Sequence, residues 1–152
     1  MKYKIRTNKG FTIIEVLLVL SMLFILISIF SLRINGLILY FKLKIELNEL
    51  YSQFLKARQL SIINQDVYGL SFNNSENSYT LFSEKKGKID TKKMNSGVTY
   101  FDINFRRGNI MTFKPTGTAE SGHIIIANST GKKYKIIIYG LTGRVRYSDY
   151  EA

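Results

Sequence analysis

Residues Lys9 to Leu32 read KGFTIIEVLLVLSMLFILISIFSL, and from Phe11 to Leu32 the run of 22 residues holds one charged side chain, Glu15. As a helix such a run spans about 33 Å, enough for a hydrocarbon core of about 30 Å. The spacing predicts a transmembrane segment over about 11–32. Lys2, Lys4, Arg6 and Lys9 precede it without an acid, and the next charge after it is Arg33. The positive-inside rule therefore places residues 1–10 in the cytoplasm and the C-terminal bulk outside. A secretory signal would have a shorter apolar core and a small-residue cleavage site after it, and this run has neither feature. Glu15 costs several kcal/mol in lipid unless a positive group meets it. Two readings stay open on physics alone: a docking carboxylate, or a simple anchor whose Glu15 reaches back to the headgroups.

Beyond the run, Leu43, Leu47, Leu50, Phe54 and Ala57 follow steps of four and three and form one apolar stripe. Lys44, Asn48, Glu49, Ser52, Gln53 and Lys56 take the other faces, which predicts an amphipathic half-helix packed on a soluble domain. A two-stranded coiled coil is the competing use of the stripe, but it lasts only about two heptads. Helix from Phe11 to about Asn64 would be about 80 Å long. Asn35-Gly36 is its internal break signal.

From Val67 the period changes to two. Tyr68, Leu70 and Phe72, then Asn73 to Asn77, then Tyr79 and Leu81 predict a hairpin. Glu84 to Lys93, with five lysines against two acids, reads as a solvated loop. Further strands are expected at Val98–Ile103, Ile110–Lys114, His123–Asn128, Lys133–Tyr139 and Arg144–Tyr147, with Ser129-Thr130-Gly131 as a hairpin turn. The fold class is α+β: one long N-terminal helix, membrane-spanning in its first half and amphipathic in its second, packed on a small antiparallel β-rich domain. The expected division is 1–10 leader, 11–64 helix and 66–152 soluble domain.

The 152 residues carry 22 Lys+Arg against 11 Asp+Glu, for a formal charge of +11, with no Cys and one His. A thiol nucleophile, a thiolate metal cluster and a His-rich site are excluded, and composition speaks against an enzyme. His123 has no acid or second His at local ligand spacing. Gly140 and Gly143 lack phosphate-loop spacing and read as turn residues, and Asp149 and Glu151 are tail charges. No catalytic, metal or cofactor constellation emerges. Arg144 and Arg146 share one strand face about 6.7 Å apart, with Val145 opposite, and paired guanidiniums suit phosphates. Residues 66–152 hold 13 basic and 8 acidic groups, net +5. The competing reading is that the two arginines guard an edge strand.

Lys9-Gly10-Phe11-Thr12-Ile13-Ile14-Glu15 with Val16-Leu17-Leu18-Val19-Leu20 closely resembles the class III signal of type IV prepilins and pseudopilins. The resemblance implies cleavage by prepilin peptidase between Gly10 and Phe11, N-methylation of Phe11, and docking of Glu15 on an N-terminal amine inside a filament. The chain also resembles the branch of H-type minor pseudopilins of type II secretion, FimT-like pilins and competence minor pilins. Three islands carry this: Lys56-Ala57-Arg58; Phe113 to Gly117 with Gly122 to Ile126; and Gly140 to Arg146. The implied role is a structural subunit of a type IV filament-like machine serving secretion, competence or a pilus. Its implied partners are the peptidase, other pilins or pseudopilins, an inner-membrane assembly platform and the lipid bilayer. In FimT-like pilins a C-terminal GRxR segment binds DNA, so Gly143-Arg144-Val145-Arg146 makes DNA a further candidate partner. The rivals are a tethered DNA-capturing module and, most remote, an enzyme built around Tyr, Ser or Lys.

Overall fold

In the computed structural model the described residues are 10–150, except that the side chains of residues 30–34 are not described. The basic residues up to Lys9, the side chain of Arg33, and Glu151 therefore lie outside the described residues. Helix α1 spans Ile13–Ile63. It includes Asn35 and Gly36, so the break signal does not interrupt the helix. The chain nevertheless divides into two compact units there, 1–35 and 36–152.

In the first unit the helix exposes apolar side chains on every face, including Leu17, Leu18, Phe24 and Ile27. Among the described residues no helix is long and apolar enough to cross a membrane. The described side chains of the apolar run stop at Ile29, short of its end at Leu32.

The second unit holds the C-terminal half of α1 and eight strands: β1 Tyr68–Asn73, β2 Ser78–Ser83, β3 Gly87–Lys93, β4 Val98–Phe105, β5 Ile110–Phe113, β6 Gly122–Asn128, β7 Lys133–Tyr139 and β8 Arg144–Asp149. They form two antiparallel four-stranded sheets, ordered β3-β2-β1-β5 and β4-β6-β7-β8. Leu43, Leu47, Leu50, Phe54 and Ala57, the whole predicted stripe, are fully buried. They share one core with Tyr68, Leu70 and Leu81 of the first sheet and Ile124, Ile136 and Ile138 of the second. Burying each such aliphatic side chain contributes about 1.5–3 kcal/mol. Phe72 stacks on Phe105 with ring centroids 5.8 Å apart, and Phe54 of α1 lies 6.0 Å from Phe72, so three rings tie the helix to both sheets.

Two local expectations change. Glu84 to Lys93 is a solvated loop only at its start, because Gly87–Lys93 forms β3 at the sheet edge, nearly all exposed. An edge strand wet on both faces needs no apolar alternation, so the period-two signal is absent, and its lysines deter further pairing. Gln53, assigned to a polar face, is buried, and so is Glu46. The helix face covered by the sheets is wider than its apolar stripe.

Candidate functional site: a helix start and a basic turn

The first candidate site is the beginning of α1. Thr12 precedes the helix, and Glu15 N–H faces Thr12 Oγ1 at 3.4 Å while Thr12 N–H faces Glu15 Oε2 at 3.5 Å. This reciprocal arrangement is a capping box, drawn out to the limit of hydrogen bonding. Gly10 and Phe11 lie outside the helix and are exposed, Phe11 to 83%. The capping pair lies wholly after the Gly10–Phe11 bond, so a cut there leaves the helix start intact.

The second site is the turn between β7 and β8. Side chains alternate along β8 as expected: Arg144 and Arg146 are exposed, whereas Val145 is in the core. The turn is held from three directions. Arg58 of α1 donates from Nε to Gly117 O at 3.2 Å and from Nη2 to Thr142 O at 3.0 Å. Gly140 O accepts from Ala119 N–H at 2.8 Å, and Gly140 N–H donates to Ser121 Oγ at 3.0 Å. Gly143 adopts φ +60°, and a Cβ there would run into Gly117 O. Only glycine combines that backbone with so close an approach. Thus Arg58, the Pro115–Gly117 turn and Gly140 to Arg146, far apart in sequence, meet at one point, and they are the three islands that carried the resemblance.

The basic residues converge in part. Arg144 and Arg146 line a hollow with Tyr139, Leu141 and Thr142. Arg106 and Lys114 line an adjoining hollow that shares Ser121, Gly140 and Leu141 with the first. Leu141, 95% exposed, stands between the two. Lys133 and Lys135 belong to the outer face of β7, since Tyr134, Ile136 and Ile138 fill the core. Lys132 lies 3.8 Å from Asp149, and Arg107 lies 3.6 Å from Glu120.

Local spacing hides one pair. His123 Nε2 lies 2.9 Å from Asp102 Oδ2, across the β4–β6 register. The partners are 21 positions apart and meet as diagonal neighbours on the paired strands β4 and β6, a pairing that no local sequence signal announces. Among the described residues no group of three or more His, Asp or Glu could hold a metal.

A polar seam runs under the first sheet. Glu46 Oε2 accepts from Asn95 N–H at 2.9 Å and from its Nδ2 at 2.8 Å, while Oε1 is buried without a partner among the described residues. Burial pushes the Glu46 carboxyl above its ordinary value, against the pull of the Asn95 hydrogen bonds. Glu49 pairs with Lys92 of β3. Tyr79, buried beside these carboxylates, is pushed well above the usual phenol range, chiefly by desolvation.

No family model matches the chain, and no curated protein matches it. Solved structures do. The minor pseudopilin EpsH of the type II secretion system of Vibrio cholerae superposes with a TM-score of 0.60 at 12% identity, over 71% of this chain and 97% of that one. A second EpsH structure, a crystal structure, gives a TM-score of 0.59 at 12% identity, over 73% of this chain and 96% of that one. With its buried helical stripe, paired antiparallel sheets and near-complete coverage of that structure, the chain has the fold of a minor pseudopilin.

Proposed function

We propose that the protein is a minor pilin or pseudopilin, a structural subunit of a type IV filament-like machine and not an enzyme. The observation that carries this reading is the union of the pseudopilin fold with the exposed apolar first half of α1, whose side chains need lipid or other subunits to cover them. Before assembly the chain is a single-pass inner-membrane protein, N terminus inside, spanning with about residues 11–32. Prepilin peptidase cuts between Gly10 and Phe11, and Phe11 is methylated. Glu15 then meets a positive N-terminal amine in the filament, where a buried ion pair sets register. Other pilins or pseudopilins and an inner-membrane platform are its partners, in type II secretion by analogy with the EpsH fold.

Glu15→Leu tests the assembly role. Loss of co-assembly with partner subunits in a crosslinking assay, with the substituted chain still in the membrane, is expected. Unchanged co-assembly would remove Glu15 from docking.

A second reading, DNA capture during uptake, is favoured by the shared outward face of Arg144 and Arg146 beside Arg106 and Lys114. Such binding runs through phosphates and weakens with salt. Arg144→Ala with Arg146→Ala should lower DNA retention and flatten its salt dependence; retention equal to the unsubstituted chain at both low and high salt would refute it.

A further inference from the structure

We propose that the outer face of the second sheet is a track for single-stranded nucleic acid, with Arg144 and Arg146 taking phosphates and Tyr139 and Phe101 taking bases. The proposal deepens the second reading and rests on the two arginines forming a nucleic-acid site.

Tyr139 is the direct cross-strand neighbour of Arg144, is 44% exposed and lines the same hollow as both arginines. Ring and cations thus stand side by side. Along β7 the same face continues through Ile137, paired with Arg146, to Lys135 and Lys133. The distance from Tyr139 to Lys133 along the strand is about 20 Å, room for a few nucleotides. At the far end Lys133 Nζ sits 3.7 Å from the centroid of Phe101, whose side chain is 55% exposed. A second ring and cation pair therefore closes the track.

Asp102 on this face is engaged by a hydrogen bond with His123. Asp149 belongs to the other row of β8 and lies near Lys132. The face also separates single strands from duplexes. A duplex offers phosphates outside and keeps its bases stacked within, so it can engage the arginines but not the rings. A single strand can do both, and base–aromatic stacking is sequence-tolerant because every base has a π-face. Neither ring is needed to fill the core, whose side of the sheet is closed by Ile124, Ile136 and Ile138.

The test uses the full chain in neutral detergent and a labelled mixed-sequence single strand of about 20 nucleotides, with the matching duplex and polyglutamate as competitors. The unsubstituted chain should bind the single strand at least about tenfold more tightly than the duplex. Tyr139→Leu with Phe101→Leu, which keeps apolar bulk but removes the rings, should cut single-strand affinity about tenfold and leave duplex binding unchanged. Arg144→Ala with Arg146→Ala should weaken both. Equal affinity for both nucleic acids, indifference to loss of the rings, or equally effective competition by polyglutamate overturns the track and leaves the arginine reading standing. Arginine substitutions without effect on either probe overturn that reading and the track with it.

Discussion

The two halves of α1 are built from similar residues and meet opposite fates. In the first, Leu17, Leu23, Phe24 and Ile27 are exposed. In the second, Leu43, Leu47, Leu50 and Phe54 lose all contact with solvent. Hydrophobicity alone does not separate them; pattern does. A helix apolar all round has no polar face to leave in water and must find its surroundings elsewhere, whereas one stripe suffices for two sheets of its own chain. The contrast teaches that one helix can carry both a stripe buried in its own chain's core and a half whose apolar side chains stay exposed, with the change of pattern marking the boundary.

The contrast can be broken most forcefully at Phe54. Phe54→Ala removes a fully buried ring that bridges both sheets and should cost about 3–5 kcal/mol in denaturant unfolding of the detergent-solubilised chain, followed by tyrosine near-UV circular dichroism. Leu23→Ala in the first half should leave that midpoint within about 0.5 kcal/mol. Equal losses from both would mean that the halves do not differ as described.

Gly143→Ala should cost about 2 kcal/mol, because it strains a positive φ and drives a methyl group onto Gly117 O. The same unfolding measurement checks it, and a neutral result would show that the β7–β8 turn is not packed tightly against Gly117.

The smallest effect concerns pH. Glu46 has a folded pKa raised above the ordinary value of 4.5, so the folded state binds its proton more tightly than the unfolded state does. Its contribution to stability is present below that ordinary value and is lost as pH rises through the raised one. Glu46→Gln keeps an acceptor for Asn95 and removes the charge, so its stability should fall less over that window. Parallel pH profiles for the two chains would contradict the burial argument.

Much of this was legible in the residues. Steps of four and three from Leu43 to Ala57 marked the buried stripe, and Tyr68-Leu70-Phe72 against Tyr79-Leu81 marked the first hairpin, because burial on one side leaves a period behind. Strand β3 left none, being wet on both faces. The burial of Gln53 and Glu46 was hidden because side-chain type reports preference and not the width of the covering sheet. At the candidate sites, alternation placed Arg144 and Arg146 together correctly. The bridge from Arg58 to Gly117 and Thr142, and the His123–Asp102 pair, depend on tertiary register and were invisible to local spacing.

The central claim is that the exposed half of α1 belongs to a processed filament subunit. Its most direct test is to express the full chain with and without an active prepilin peptidase and to determine the N terminus of the membrane-bound product by mass spectrometry. The account predicts a product beginning at methylated Phe11 only when the peptidase is present. A chain still beginning at Met1 beside an active peptidase would contradict it and reduce Glu15 to an anchor residue reaching for the headgroups.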